Sequence, residues 1–411
     1  MFLSLSIQAD FVSPHIASIA EFMVVSTSDS DSSVALDACE FWLTFASLSD
    51  EVCSFEMVQT VQSLLPRLIP ILLNGMVYQN DKIEELLEQN IADENQSPDR
   101  LQDVAPIFHK SRHSKGEVGE SEEDTSDDDN EWSLRKCSAA SLDVLAGMYG
   151  PSAILPHFLP ALQEGLTNNN LWVREASILA LGAIAEGCQG EMEVHLTQLY
   201  SYLLSQLKED LPQLRCIACW TICRYGEWIC EQGCQEQSPS AMIGNLVEEL
   251  MLLFLNVNKS IQVASCSAFG RLVESCSELL VPFLEPIYKT IIKALSFYQT
   301  KSLLVLFDTV SVMAEFIGQA TGSMNLPEIY IPPLVTFWQS HHDPLNQQLL
   351  PLMECLSCVT AVVGSSIQPW AVQIFDLVSE SIIYQIYSAY RLIYSFSCFP
   401  ISVLLQLKNV D

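Results

Sequence analysis

The sequence predicts an all-α protein, a right-handed superhelical solenoid of HEAT-type repeats, and three observations favour this fold class. Apolar residues recur at helical spacing in block after block, whereas strand and hairpin patterns are scarce. Pro and Gly fall mainly between those blocks. Similar helices also return about every 40 residues, which is the period of two-helix HEAT or armadillo units.

Helices that align with one another show this period. They begin at Leu134, Val173, Leu214 and Val263, and an earlier member begins at Val34. Another amphipathic helix lies between successive members, so the repeated unit is a helix pair. The period corresponds to roughly seven repeats, and such repeats stack into a superhelix with a long concave surface.

Composition narrows the classes of partner. Hydrophobic residues make up 49% of the 411-residue chain, enough to bury a large core, and the net charge is −31. So large a negative charge disfavours direct nucleic-acid binding, which needs Lys and Arg, and favours a basic partner. The 14 cysteines do not form a disulfide-rich pattern in a chain of this length, and most fall at helical spacing among apolar residues, which predicts reduced, intracellular thiols.

Sequence motifs offer little support for catalysis. The chain contains no nucleophile elbow, P-loop, zincin helix or dinucleotide-binding glycine motif, so we expect a non-enzyme without a cofactor. His109 and His113 are i, i+4 but lack further ligands at a known metal-site spacing. Four cysteines that include a C-x-x-C motif raise the alternative of a zinc or redox centre: Cys216, Cys219, Cys223 and Cys230. Their spacing follows one stripe of a continuous helix, which instead predicts core packing and no metal.

The chain ends carry apolar stretches that are not typical of membrane proteins. The N-terminus lacks the basic region and cleavage site of a signal peptide. Residues 382–407 are dense in apolar residues, but Arg391 and Pro400 interrupt them. A membrane span is the alternative there, and we prefer a last helix followed by an irregular tail. We therefore expect no membrane partner.

A polar segment interrupts the array between residues 79 and 131. Its charge run repels itself and cannot pack, so it predicts a flexible loop inserted within one repeat. Such a loop is either solubilising or a pseudo-ligand that competes for a groove binding basic segments. The chain then divides into repeats 1–78, the loop 79–131, repeats 132–380 and a divergent tail 381–411. The acidic residues of the loop are Glu117, Glu120, Glu122, Glu123, Asp124, Asp127, Asp128, Asp129 and Glu131.

Equivalent positions in three of the aligned helices predict a shallow apolar pocket. Ala140, Leu179 and Trp220 each lie six residues after the start of their helix, so repeat stacking places them side by side. Ile217 lies one turn before Trp220, and Asp143 lies one turn after Ala140, on the same face. An apolar pocket with one carboxylate acceptor would seat a proline–tyrosine pair. The alternative is that Trp220 belongs to the ordinary inter-helix core.

Acidic residues follow on later helices of the same series. Glu274 lies in the helix that begins at Val263, and Asp308 and Glu315 are i, i+7 on one face. Because an unpaired carboxylate is costly to bury, these residues should face a wet groove. They predict a ligand with basic residues some distance from its apolar end, and the alternative is a set of solvated acids.

At these residues the sequence resembles the transportins, karyopherin-β nuclear import receptors for proline–tyrosine nuclear localisation signals. The resemblance covers about residues 15–375 and rests on the blocks ACEFWLT, SLRKCSAASLDVLA, LGAIAEGC, CWTICRYGEW, QVASCSAF, LVPFLEPI, LLVLFDTV and PLMECLS. It implies a HEAT superhelix of the cytoplasm and nucleus that contacts nucleoporins. It also implies that cargo binds the inner face and is released by the GTPase Ran through the acidic loop.

The resemblance assigns roles to the site residues as well. It implies a proline–tyrosine pocket formed by Ala140, Asp143, Leu179, Ile217 and Trp220. It implies contacts to an upstream arginine of the cargo from Glu274 and Asp308, with Glu315 nearby as a variant of the family's acid.

The chain also departs from the family pattern. The N-terminal repeats that hold most of the Ran contact and the C-terminal half are absent, so we expect a truncated product with impaired Ran binding. After about residue 378 the sequence no longer follows the family. Rival interpretations are a HEAT scaffold without a peptide pocket, an enzyme with a cysteine or zinc centre, and a truncation that does not fold stably because its ends lack capping repeats.

Overall fold

The computed structural model describes residues 13–48, 54–94, 96–99, 132–235, 241–323, 327–340, 349–363 and 367–379. Within these ranges the regular structure is helical and no strand occurs. The first helices are α1 (Ile16–Thr27), α2 (Ser32–Ala46), α3 (Phe55–Gln62), α4 (Leu65–Gly75), α5 (Asn80–Glu94), α6 (Leu134–Tyr149), α7 (Pro151–Leu166), α8 (Leu171–Ala183) and α9 (Ala185–Gln206). They are followed by α10 (Pro212–Arg224), α11 (Gly226–Gln235), α12 (Ala241–Phe254), α13 (Lys259–Leu280), α14 (Leu284–Leu295), α15 (Thr300–Ser323), α16 (Pro327–Ser340) and α17 (Leu349–Val363).

The helices form two layers. In the B layer, neighbouring helices pack side by side in the order α2, α6, α8, α10, α13, α15 and α17. The A layer consists of α1, α4, α7, α9, α12, α14 and α16, each packed on its B-layer partner. Helix pairs stacked in this way are the HEAT architecture, so the predicted all-α solenoid is confirmed.

Local sequence explains where the B-layer helices begin. The side chain of Asn170 accepts a hydrogen bond from the Trp172 amide and caps α8, and Asn258 caps α13 through the amide of Ile261. Pro212 occupies the first position of α10, where its missing N–H costs nothing. Gly150 turns the chain from α6 into α7 with φ of 71°, a left-handed conformation that suits glycine.

The cysteines behave as small hydrophobic residues. Cys219 is fully buried in the core between the helices, and Cys223 donates from Sγ to the Ala268 carbonyl at 3.0 Å. Burial raises the pKa of Cys216 and of Cys223 to about 12, so both thiols stay protonated at neutral pH. Core packing of these cysteines is confirmed. The continuous helix is not, because α10 ends at Arg224 and Cys230 lies on α11.

The segment 79–131 differs from the loop that its composition predicts. Residues Asn80–Glu94 form helix α5, because Ile83, Leu86, Asn90 and Ile91 recur at helical spacing within a polar stretch. Residues 96–99 continue from it, and all the acidic residues between Glu117 and Glu131 lie outside the described residues. His109, His113 and the apolar stretch 382–407 lie outside them as well.

The described part of the chain offers neither a membrane span nor a metal cluster. None of its helices is both long enough and apolar enough to cross a bilayer. No group of three or more His, Cys, Asp or Glu side chains is placed there to hold a metal ion. Both statements concern the described ranges alone.

Candidate functional site

Three consecutive B-layer helices enclose a cavity of about 800 Å³. Helix α6 forms one wall, α8 and the start of α9 form the floor, and α10 contributes the opposite wall. This volume lies in the range of pockets that bind drug-sized ligands. The residues lining the cavity are Arg135, Lys136, Ala139, Ala140, Asp143, Val144, Gly147, Leu179, Ala183, Glu186, Gly187 and Trp220.

Trp220 is a cavity wall residue rather than core. Its side chain is 39% exposed, and its indole packs against Gly182 of α8 so closely that a Cβ there would lie 2.2 Å from Cζ3. The next residue, Thr221, donates to the Ile178 carbonyl at 2.9 Å, which holds α10 against α8. The indole is therefore positioned by contact with a glycine and by a buried hydrogen bond one residue away.

Arg224 lies one turn after Trp220 and reaches the acidic side of the cavity. Its Nη2 atom is 3.5 Å from Asp143 Oδ1 and 3.5 Å from Glu186 Oε2. Its Nε donates to the Gly182 carbonyl at 3.2 Å, and its guanidinium lies 5.8 Å from the centroid of the Trp220 ring. Nη2 is buried and has no hydrogen-bond partner among the described residues, and Arg224 is not among the residues that line the cavity.

Arg135, at the other end of the cavity, is fully engaged. Its two terminal nitrogens donate to both carboxylate oxygens of Glu175, at 2.8 and 2.5 Å. One of them also donates to the Met76 carbonyl, and the ring of Tyr78 lies 3.9 Å from the guanidinium carbon. Burial raises the pKa of Glu175, while Arg135 acts in the opposite direction. This ion pair ties α6 to α8.

The structure brings most of the predicted pocket residues together. Ala140, Asp143, Leu179 and Trp220 all line the one cavity. Ile217 is half-buried against the core one turn before Trp220 and is not a lining residue.

The predicted acidic residues lie beyond the cavity on later helices. Glu274 is exposed on α13, where Arg271 contacts it at 3.1 Å. Asp308 and Glu315 are exposed on α15. None of the three lines the cavity, and they follow it along the B layer.

Sequence reasoning missed three residues of this site. Arg224 could have been noticed from its position one turn after Trp220, but its acidic neighbours come from other helices. Glu186 lies at the start of α9 in the A layer, outside the aligned series. Gly182 lies one turn after Leu179, and only the packing of the indole shows its importance.

Comparison with known proteins agrees with this architecture. A model of the HEAT-like repeat family matches residues 172–225. Transportin-1 of Mus musculus is 38% identical over 90% of this chain and 41% of its own length. Importin subunit beta-2 of Schizosaccharomyces pombe is 36% identical over 90% of this chain and 42% of its own length. The crystal structure of Kap121p bound to Pho4p superimposes with a TM-score of 0.67 at 14% identity, over 92% of this chain and 33% of that chain.

The fold and these similarities define a class, the HEAT-repeat karyopherins. Within that class the chain belongs to the transportin (importin β-2) family. It spans about two fifths of the length of the curated relatives that it matches.

Proposed function

We propose that this chain is the signal-binding region of a nuclear import receptor. It would bind a C-terminal R-x(2–5)-P-Y signal, with the proline–tyrosine pair in the cavity between α6, α8 and α10. The observation that carries this proposal is the convergence of Ala140, Asp143, Leu179 and Trp220 on one half-open cavity. Of these residues, Trp220 supplies the largest apolar surface at the lowest conformational cost.

The polar groups of the cavity suit a phenol. Asp143 lines the cavity and would supply an acceptor for a tyrosine hydroxyl, and the guanidinium of Arg224 lies 3.5 Å from its Oδ1. A site that hydrogen-bonds the hydroxyl of a ligand discriminates strongly against an analogue that lacks it. We therefore expect a preference for tyrosine over phenylalanine at the last position.

The arginine of the signal would bind along the B layer. Glu274 on α13 and Asp308 on α15 are exposed carboxylates beyond the cavity, and Glu315 lies two turns after Asp308. A charge-assisted hydrogen bond to such a group contributes about 1.5–3 kcal/mol. The net charge of −31 would also raise the association rate with a basic peptide and make it fall with salt.

Further partners rest on the family alone. Solved structures with the same fold include Kap95p with RanGDP and a complex of Kap95 with Nup1. We propose Ran and nucleoporins as partners of the complete receptor, release through the acidic residues 117–131, and distribution between cytoplasm and nucleus. A non-enzymatic role fits this assignment.

The experiment is a calorimetric titration of the 411-residue chain with a basic proline–tyrosine peptide. The same peptide ending in Ala-Ala serves as the reference ligand. We expect selective binding that weakens with salt, and Trp220→Ala should weaken it by about 2 kcal/mol or more, as for an interface anchor.

The control variant is Phe55→Ala, which removes an aromatic ring that is 76% exposed on α3, outside the cavity. It should leave the affinity unchanged. Equal affinity of the wild-type chain for the two peptides, or an unchanged affinity in Trp220→Ala, would overturn the proposed function. The helical content of each variant is checked by circular dichroism first.

A further inference from the structure

Residues 78–99, apart from residue 95, run across the beginnings of four consecutive B-layer helices. We call this segment the strap; it comprises Tyr78, helix α5 and residues 96–99. At its start, the Tyr78 ring meets Trp172 edge-on in the first turn of α8, with centroids 5.6 Å apart. In an ordinary solenoid each repeat contacts only its neighbours. A segment that touches α8, α10, α13 and α15 is therefore an additional connection.

The middle of the strap joins α10 to α13 through buried amides. Asn90 and Gln213 exchange two hydrogen bonds, at 3.0 and 3.2 Å. The N-cap of α13, Asn258, donates to the same Asn90 oxygen at 3.2 Å. All three side chains are less than 10% exposed. Because buried amides are costly unless they are paired, this cluster specifies one arrangement of the two helix ends.

The end of the strap joins α13 to α15 through two carboxylates. Asp93 accepts from the backbone amide of Lys259 at 3.1 Å, and Asp99 accepts from the amide of Lys301 at 3.0 Å. Each carboxylate thus caps a B-layer helix from outside that helix, where the helix dipole favours negative charge. Asp99 also lies 2.6 Å from Lys259 Nζ, and these two side chains are only 7% and 13% exposed.

Two further bonds close the connection. Lys259 Nζ donates to the Ser97 carbonyl at 2.7 Å, and Gln299 accepts from the Asp99 amide at 2.8 Å. Lys259 of α13 therefore bonds the strap at three points, Asp93, Ser97 and Asp99, and Gln299, which precedes α15, bonds it as well. Removal of one member of such a buried charged group leaves the other charge uncompensated.

We infer that the strap sets the spacing of α10, α13 and α15, and that Asn90, Asp93 and Asp99 are positioning residues for the binding surface. The consequence for ligand binding rests on the proposed function. Trp220 lies on α10, Glu274 on α13 and Asp308 on α15, so the strap holds the apolar and acidic subsites at a fixed distance. It thereby selects the number of residues between arginine and proline–tyrosine in a bound signal.

The first arm of the test measures amide hydrogen exchange in the full chain and in Asp99→Ala. The Lys301 amide lies in the first turn of α15, where no intrahelical acceptor exists, so its protection reports the strap directly. We expect its exchange to accelerate about tenfold or more, with faster exchange in the first turn of α13 as well. Asp99→Asn keeps an acceptor and loses the charge, so its exchange rate at Lys301 should lie between those of wild type and Asp99→Ala. This milder variant also guards against an effect that comes only from misfolding.

The matched control is Glu94→Ala, which removes an exposed carboxylate from the last turn of α5. It changes the net charge equally and should leave exchange at Lys259 and Lys301 unaltered. Unchanged exchange at Lys301 in Asp99→Ala, or equal acceleration of exchange in Glu94→Ala, overturns the inference that the strap sets the helix spacing.

The second arm titrates wild type and Asp99→Ala with peptides whose spacer between arginine and proline–tyrosine varies from two to five residues. Wild type should prefer one spacer length, and the variant should lose that preference, with its best affinity falling about tenfold. A peptide with arginine replaced by alanine should bind both proteins equally. A spacer preference that survives in the variant overturns the positioning role. If no peptide binds wild type, the proposed function fails, while hydrogen exchange still decides whether the strap connects the helices.

Discussion

The two ends of the cavity hold their arginines in opposite ways. Arg135 makes a bidentate pair with a buried carboxylate, a bond to a carbonyl and a stacking contact with Tyr78. Arg224 contacts its two carboxylates only at 3.5 Å, and its Nη2 has no hydrogen bond to a described residue. The first guanidinium is held at several points. The second is held more loosely, because a carboxylate at 3.5 Å attracts it without making a well-formed hydrogen bond.

The two arginines therefore differ in the expected role of their charge, which is structural for Arg135 and functional for Arg224. A saturated buried ion pair specifies how α6 meets α8, and its loss should appear as instability. An arginine held loosely beside the cavity should contribute little to stability and should affect binding through the two carboxylates that it contacts. The predictions below test this division, and each pairs a stability measurement with a binding measurement.

The largest effect is expected from Glu175→Ala. Glu175 is 2% exposed, and its removal leaves the guanidinium of Arg135 without a counter-charge in the interior. Breaking a buried pair from one side costs about 3–5 kcal/mol of the free energy of unfolding. Denaturant unfolding followed by circular dichroism measures this cost. A loss below about 1 kcal/mol would contradict a structural role for the pair.

Glu175→Gln is the graded control, since it keeps an acceptor and removes the charge. Burial raises the pKa of Glu175 while the charge of Arg135 acts to lower it, so protonation is less unfavourable in the folded chain than in the unfolded chain. The stability that comes from this shift is fully present below the ordinary glutamate pKa and is lost as pH rises through the raised value. Relative to Glu175→Gln, the wild-type chain should therefore lose stability with rising pH across that window.

The sequence predicts the repeat architecture well because helical periodicity and the 40-residue period are local or regular signals. The same regularity predicts that Ala140, Leu179 and Trp220 meet, since equivalent positions stack. It could not reveal the pairing of Arg224 with Asp143 and Glu186, or the strap. Their contacts join residues far apart in the chain, such as Asn90 and Gln213, which are 123 positions apart. Pairings of that kind depend on the superhelical path rather than on any pattern along the chain.

An intermediate effect is expected from Arg224→Met, which keeps the length of the side chain and removes its charge and donors. The free energy of unfolding should change by less than about 1 kcal/mol, because the contacts to Asp143 and Glu186 are long and partly exposed. Affinity for the proline–tyrosine peptide should fall several-fold, because Asp143 loses the guanidinium that lies 3.5 Å from its Oδ1 and is oriented less well for the tyrosine hydroxyl. Calorimetric titration with a peptide ending in tyrosine and with one ending in phenylalanine measures the loss of affinity for each peptide.

The opposite pattern, in which Arg224→Met unfolds the chain but leaves the affinity of the remaining folded fraction intact, would make Arg224 a structural residue like Arg135. Arg224→Lys tests whether the planar guanidinium group is needed. It keeps the charge and loses the guanidinium fork, so it should recover only part of the affinity.

The smallest effect is expected from Gly182→Ala, which alters the cavity through shape alone. The added Cβ would lie 2.2 Å from Cζ3 of Trp220 and 2.9 Å from Thr221 Oγ1, so the indole must shift. Because that indole is 39% exposed it can move outwards, and the cost of about 1 kcal/mol is largely offset by the higher helix propensity of alanine. Peptide affinity should fall several-fold while the unfolding midpoint hardly moves.

Gly270→Ala in α13 is the matched control, since a Cβ there meets nothing within 4 Å, and it should raise stability by about 0.5–1 kcal/mol without changing peptide affinity. If both glycine variants bind the peptide as tightly as wild type, the position of the Trp220 ring does not determine binding, and the functional end of the cavity reduces to Arg224 and its acids.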